Sequence, residues 1–165
     1  MSEEQLIGEG LAVLQDLAPE GFAIALHVQF TTPTFLFQTY PRAWIEEYSR
    51  KGFVLRDPTV IWAFDNLGVI DWAELAASDS DGIMARARDH GLVEGFTYSQ
   101  ETDDSRSLAS FARSSDPFAG YEKSRICGIV DDIHRLTAGL GALSPETRDN
   151  LRRLSIQFTH PGPNA

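Results

Sequence analysis

Residues 40–72 read YPRAWIEEYSRKGFVLRDPTVIWAFDNLGVIDW, and they decide how the rest of the chain is understood. Five aromatic side chains with a hydrogen-bonding tip, Tyr40, Trp44, Tyr48, Trp62 and Trp72, gather around one acid, Asp57. Pro41 suits the first position of a helix, where its missing N–H would be unpaired anyway. Tyr40, Trp44 and Tyr48 then recur at every fourth residue, on or beside one helix face. Asp57-Pro58 opens a second helix, with Asp at the N-cap, Pro at N1 and an apolar stripe of Val60, Ile61, Phe64 and Leu67. Gly68 breaks that helix and Trp72 closes the segment. Aromatics with polar tips suit the wall of a mainly apolar pocket that fixes one or two polar groups of a guest. On periodicity alone, however, the aromatics read as core residues and an Asp before Pro as a plain helix cap.

Outside this stretch, composition sets bounds. A chain of 165 residues, 42% hydrophobic and 23% charged, makes one domain with a single core. Its 14 Lys and Arg against 24 Asp and Glu leave a net charge of −10, which opposes nucleic-acid binding by this chain alone. The lone Cys127 cannot form an internal disulfide and reads as a buried, inert thiol. The opening SEEQ is no signal peptide, and no apolar run approaches the ~20 residues of a membrane span. The expected location is the cytoplasm.

Along the chain, Ser2 and Gln5 have capping-box spacing, and Ile7, Leu11, Leu14 and Leu17 continue as an amphipathic helix ending near Pro19. Phe22, Ile24, Leu26, Val28 and Phe30 alternate with smaller or polar residues, the pattern of a strand with one greasy face. A turn at Thr31-Thr32-Pro33 leads to a second strand, Thr34–Thr39, and lone His27 reads as a solvated or locally bonded side chain. Ser78 is placed as cap of a helix carrying Ile83, Met84 and Ala87, stopped by Gly91. A second hairpin pairs Gly95–Gln100 with Ser107–Arg113, putting Ser110 on one face with Leu108 and Ala112. Its hydroxyl is either a satisfied core group or a donor to a buried guest. Asp116-Pro117 caps a helix with the stripe Ile126, Ile129, Val130, Ile133, Leu136 and Leu140, and a last helix starts at Leu143-Ser144-Pro145. Helices flanking two hairpins give an α+β fold with an antiparallel sheet covered on its faces.

Catalytic signatures are missing. GxSxG, HExxH, CxxC, P-loop and GxGxxG patterns do not occur, and the four histidines stand at no metal-ligand spacing. The adjacent carboxylates Glu46-Glu47, Asp103-Asp104 and Asp131-Asp132 read as solvated faces. No catalytic residue, metal or cofactor is expected, and the chain is read as a non-enzyme.

Trp44-x3-Tyr48-x8-Asp57-Pro58-x13-Trp72, with Tyr40-Pro41 before and Gly95 after, resembles the autoinducer-binding domain of LuxR-type quorum-sensing regulators over residues 5–140. The resemblance implies an α/β/α sandwich with a central antiparallel sheet, and an N-acyl-homoserine lactone enclosed between sheet and helices. Carried over by position, Trp44 would donate to the lactone carbonyl and Asp57 would accept the ligand amide N–H. Tyr48 and Ser110 would lie near the acyl carbonyl, with Tyr40 and Trp72 packing against the ligand. Val60, Ile61, Phe64, Leu26, Val28 and Leu36 are the expected wall of the acyl tunnel. The ligand-binding set is therefore Tyr40, Trp44, Tyr48, Asp57, Val60, Trp72 and Ser110.

This chain departs from the family pattern in three places. Ser99 stands where a proline is common, Tyr98 is bulkier than the usual aliphatic residue and so could shorten the tunnel, and Gly68–Asp71 lacks prolines. Residues 1–142 are read as the sensor domain, and 143–165 as a linker and first-helix remnant of a DNA-binding domain. The expected partners are a small-molecule autoinducer and a second copy, dimerising partly through the 118–140 helix; DNA would be reached only through a further C-terminal domain. The alternative is a natural short form that inhibits full-length regulators by heterodimerisation.

Overall fold

The computed structural model describes residues 2–30 and 32–139, with positions 145, 146, 149 and 153 beyond them. The expected domain boundary after residue 142, Leu140 and most of the helix expected from Leu143 lie outside the described residues.

Helix α1 (Glu3–Leu17) starts on the capping box foreseen: Ser2 Oγ accepts from Gln5 N–H at 3.2 Å, and Gln5 Oε1 accepts from Ser2 N–H at 2.9 Å. Strands β1 (Gly21–Val28) and β2 (Phe35–Gln38) form the first hairpin. Helices α2 (Arg42–Arg50) and α3 (Pro58–Asp65) follow, joined by a 3₁₀ turn at Phe53–Leu55. Next come β3 (Gly68–Asp71), a 3₁₀ run over Trp72–Ser78 and α4 (Ile83–Asp89). Strands β4 (Glu94–Thr102) and β5 (Ser105–Arg113) make the second hairpin, and α5 (Gly120–Thr137) ends the described fold. The sheet is antiparallel in the order β2-β1-β5-β4-β3. Helices α1 and α5 cover one face, and α2, α3 and α4 lie over the other, the α/β/α arrangement expected.

The two faces differ in chemistry. Phe22, Phe37, Phe96 and Phe111, all 0% exposed, face α1 and α5 with Ile7, Leu11, Leu14, Ile126 and Val130. Four fully buried rings make aromatic side chains a large part of the apolar surface removed from water on this side. Arg113 ties the layer together: its guanidinium pairs with Glu122, donates to Leu17 O at 3.0 Å and lies 4.1 Å over the Phe118 ring. Those hydrogen bonds hold the Glu122 carboxyl down at about pKa 2.

Several local expectations are corrected. Pro41 is the extended N-cap of α2 (φ −51°, ψ 136°) rather than its first helical residue, because its carbonyl already accepts from Trp44 and Ile45 N–H. Gly68 begins β3, a short edge strand whose four residues are too few to show alternation. Helix α4 is capped by Asp79, not Ser78: the Asp79 carboxylate accepts from Ile83, Met84 and Ala85 N–H at 2.8, 3.0 and 3.3 Å. Helix α5 starts beyond Asp116-Pro117, with Glu122 accepting from Ala119 N–H at 2.9 Å. Asp103 and Asp104 are exposed as expected and, with φ of 53° and 63°, also form the two-residue turn of the second hairpin.

The largest surprise lies at His27. Its φ of 51° accompanies a bulge in β1 between Ala25 and Val28, and alternation is reset there. His27 is neither solvated nor locally bonded. Its ring meets Ser105 Oγ at 2.6 Å, His134 O at 3.0 Å and Thr137 Oγ1 at 2.9 Å. Past the bulge Val28 joins the face opposite Phe22, and Phe30, expected among the greasy residues, stands 95% exposed. Cys127 is only partly buried, yet burial still pushes its thiol up to about pKa 11, so it remains protonated.

Candidate functional site

Between the sheet and helices α2, α3 and α4 lies a cavity of about 540 Å3. Its floor is formed by strands β2, β1, β5 and β4, with only small residues on β1 at its centre. Strand register aligns Gly21, Ala112 and Gly95 in one row, then Gln38, Ala23, Ser110 and Thr97, then Leu36, Ala25, Leu108 and Ser99. In the first row the glycines admit rings: a Cβ at Gly21 would overlap Tyr40, and one at Gly95 would overlap the Trp72 indole. Tyr40 and Trp72 thus lie close against the sheet, and Tyr40 donates its hydroxyl to Ser110 O at 3.2 Å.

All seven residues singled out from the sequence, Tyr40, Trp44, Tyr48, Asp57, Val60, Trp72 and Ser110, line this one cavity. Helix α2 places Trp44 and Tyr48 one turn apart, their rings 5.7 Å between centroids and edge-on, with Phe53 packed 6.0 Å from each. Trp62, counted in the same aromatic group, does not line the cavity. Among the described residues the Trp44 indole N–H has no acceptor, whereas that of Trp72 is spent on Thr97 Oγ1 at 3.1 Å.

Asp57 is both cap and cavity residue. Its Oδ1 accepts from Thr59 N–H at 2.8 Å and Thr59 Oγ1 at 2.7 Å; its Oδ2 accepts from the Tyr48 hydroxyl at 2.7 Å. Oδ1 is thereby saturated, while Oδ2 keeps one lone pair for a further donor. Burial raises the Asp57 pKa, and the Tyr48 and Thr59 donors pull it back. Burial raises Tyr48 and Tyr40 as well, with the Asp57 charge adding to both, so both are neutral donors.

Helix α3 is held over the cavity at both ends. Asp57 fixes the first turn; at the other end Ser99 Oγ donates to Ala63 O at 2.7 Å, and Arg106 reaches the carbonyls of Ala63, Phe64 and Asn66. Its expected apolar stripe is not core: Ile61 and Leu67 are 49% and 56% exposed, and the buried residues are Pro58, Thr59 and Ala63. Val60 and Phe64 reach the cavity but Ile61 does not, since it projects to the outer side of a short helix. Leu26, also expected in the tunnel wall, packs instead against α1 and α5, while Val28 and Leu36 do line the cavity.

Tyr98 is corrected too. Its side chain lies on the α5 side of the sheet, donating to Asp131 at 2.7 Å, so its bulk leaves the cavity unchanged. The neighbouring Ser99 hydroxyl binds helix α3. Sequence reasoning missed Thr59, Thr97 and Gln38. Thr97 is 1% exposed and connects Trp72 to Ser110, whose Oγ lies 2.7 Å from Thr97 Oγ1. The available signal was the run of small residues on the non-greasy face of β1, which leaves room above a sheet rather than filling it.

Among the described residues no cluster of three or more His, Cys, Asp or Glu could hold a metal, and no helix is long and apolar enough to cross a membrane. Comparison with known proteins places this geometry in context. The family model described as the autoinducer binding domain matches residues 2–135. The transcriptional activator protein SolR of Ralstonia nicotianae is 29% identical over 106 residues, covering 64% of this chain and 45% of SolR. The HTH-type quorum-sensing regulator RhlR of Pseudomonas aeruginosa is 28% identical over 101 residues, covering 60% of this chain and 42% of RhlR. The chain thus spans less than half the length of these two relatives, whose names make them a transcriptional activator and a quorum-sensing regulator. A crystal structure of Escherichia coli SdiA superposes with TM-score 0.64 at 24% identity, covering 88% of this chain and 66% of that one. SdiA in complex with octanoyl-rac-glycerol gives 0.63 at 18% identity, covering 98% and 84%. These structural likenesses establish the fold, and the match over residues 2–135 establishes the family: the chain belongs to the autoinducer-binding domains of LuxR-type regulators.

Proposed function

We propose that this domain senses an N-acyl-homoserine lactone, or a related acyl signal, by enclosing it in the cavity between the sheet and helices α2–α4. The observation that carries this reading is the pairing of an unspent donor with an unspent acceptor in one apolar cavity: the Trp44 indole N–H and the Asp57 Oδ2 lone pair. A lactone offers a carbonyl for the first and an amide N–H for the second, and either group would be costly to bury unpaired. Tyr48 and Ser110 are placed beside the acyl carbonyl, with Ser110 as its donor because the Tyr48 proton is held by Asp57 Oδ2. Tyr40 and Trp72 pack the head group, and Val60, Phe64, Leu36 and Val28 wall the chain. Each methylene so buried contributes about 0.8 kcal/mol, so cavity length selects chain length.

The sensor is proposed to act as a homodimer within a regulator that reaches DNA through a further domain. Residues Ile126, Val130 and Ile133 of α5 are used against the sheet and α1, so the dimer contribution assigned to this helix falls to its remaining faces. The test is mass spectrometry of an organic extract from protein expressed with and without a mixture of acyl-homoserine lactones. One lactone retained at about one per chain supports the reading; folded protein that retains none overturns it.

A further inference from the structure

The cavity floor is a trough. Ala23 and Ala25 form its bed, because β1 lies between β2 and β5 and presents only methyl groups upward. At Ala23 the flanking residues are Ser110 on β5 and Gln38 on β2; at Ala25 they are Leu108 and Leu36. Two strand spacings separate the flanking Cα positions by about 10 Å, and one row follows the next after about 7 Å. A guest lying in the trough therefore meets hydrogen-bonding groups on both sides for one row, then apolar groups on both sides.

Gln38 is the unexplained member of this frame. It lines the cavity half-buried, and among the described residues its side-chain amide has no hydrogen-bond partner. Ser110, by contrast, is held by Thr97. A saturated chain laid across Ala23 would strip water from the Gln38 amide and return nothing, whereas a chain oxygen at that level would pair with it.

We propose that Gln38 is a specificity-determining residue that reads an oxygen substituent, oxo or hydroxyl, on the acyl chain near its carbonyl. The assignment rests on the acyl-signal reading above. With the acyl carbonyl at Ser110, the row spacing confines that substituent to the first few carbons, because in the next row Leu36 and Leu108 are apolar and the Ser99 hydroxyl is spent on Ala63 O. An amide both donates and accepts, so Gln38 takes either an oxo group or a hydroxyl.

The test is calorimetric titration of the folded protein and its Gln38→Leu and Gln38→Glu variants. The ligands are octanoyl-, β-oxo-octanoyl- and β-hydroxy-octanoyl-homoserine lactone, and thermal melts confirm that each variant folds. The unsubstituted protein should favour the oxygenated lactones by about tenfold or more. Gln38→Leu should abolish that preference by tightening the plain chain and weakening the others. Gln38→Glu, a carboxylate that only accepts, should keep the hydroxyl ligand and reject the oxo ligand. Equal affinity for all three lactones, or a preference that survives Gln38→Leu, overturns the role of Gln38 and leaves the sensor reading standing. Folded protein that binds none of the three overturns both.

Discussion

Replacing Asp57 by Asn separates the two tasks of this residue. Asn is as good an N-cap as Asp, and its Oδ1 can still accept from Thr59 N–H and Oγ1, which now lie at 2.8 and 2.7 Å. What changes is the other atom. An NH2 group replaces Oδ2, so the Tyr48 hydroxyl, now donating at 2.7 Å, must turn to accept, and an incoming amide N–H meets another donor. The loss is one charge-assisted bond plus an unpaired buried donor, about 2–4 kcal/mol, or roughly 30- to 1,000-fold in Kd. The empty protein should fare differently. Burial raises the Asp57 pKa, so its charge costs stability at neutral pH, and Asp57→Asn should leave the unliganded midpoint unchanged or higher, within about 1 kcal/mol. Titration with octanoyl-homoserine lactone followed by Trp44 and Trp72 fluorescence, alongside urea unfolding without ligand, measures both quantities. A Kd within threefold of the parent protein would refute the acceptor role. Loss of the fold would show that the carboxylate is structural.

Further tests probe the floor and the other face of the sheet. Gly95→Ala puts a methyl into the Trp72 indole, strains its bond to Thr97, and should cost about 1–3 kcal/mol in urea unfolding along with weaker ligand binding; an unchanged midpoint would refute the close approach. Ala25→Leu fills the trough beyond Gln38, and titration across a chain-length series should show longer acyl chains losing about 0.8 kcal/mol per excluded methylene while short ones are kept. Burial holds the folded pKa of both His27 and His134 below 6.5, so their contribution to stability is complete above about pH 6.5 and is lost as pH falls through their folded values. The raised pKa of Asp57 acts in the opposite sense, so urea midpoints at pH 7 and pH 5 are compared between the parent and His134→Gln, in which the acid loss should shrink; an equal loss in both would refute the assignment.

What could be read from the sequence was whatever depended on local spacing. The Ser2–Gln5 box, the Asp57-Pro58 start and the β4–β5 hairpin are short-range devices, and each appears in the structure. Of the seven cavity residues, Tyr40, Trp44, Tyr48, Asp57 and Trp72 were picked out by their joint spacing rather than their periodicity, whereas Val60 and Ser110 came from the helix stripe and from the family resemblance. Features set by long-range pairing were not legible. The helical period of Val60, Ile61, Phe64 and Leu67 suggested a core stripe, but an eight-residue helix laid over a cavity has little core to face. Capping of α4 by Asp79 is local but was also missed, because the left-handed Gly82 turns the chain back so that the cap comes from ahead of the usual N-cap position. Tyr98 looked like an obstruction because its strand face depends on register against β5, which fixes it opposite Ala109 and away from the trough.

The two faces of the sheet explain why such a cavity can persist without collapse. Close packing is the default for protein interiors, and a helix layer would settle onto a floor of Gly, Ala, Ser and Thr if nothing held it off. Here the roof is pinned from its sides. Arg106 and Ser99 fix the end of α3, Asp57 fixes its start, and the Trp44–Tyr48–Phe53 cluster props α2. Stability is supplied mainly from the opposite face, where Phe22, Phe37, Phe96 and Phe111 pack against α1 and α5. The bulge at His27 connects the two: it sends that imidazole to Ser105 and Thr137 at the end of α5 while turning Val28 toward the cavity. The same strand whose Ala23 and Ala25 floor the cavity thus ends in the His27–His134 contact, whose ring centroids lie 4.4 Å apart, and is anchored there to α5.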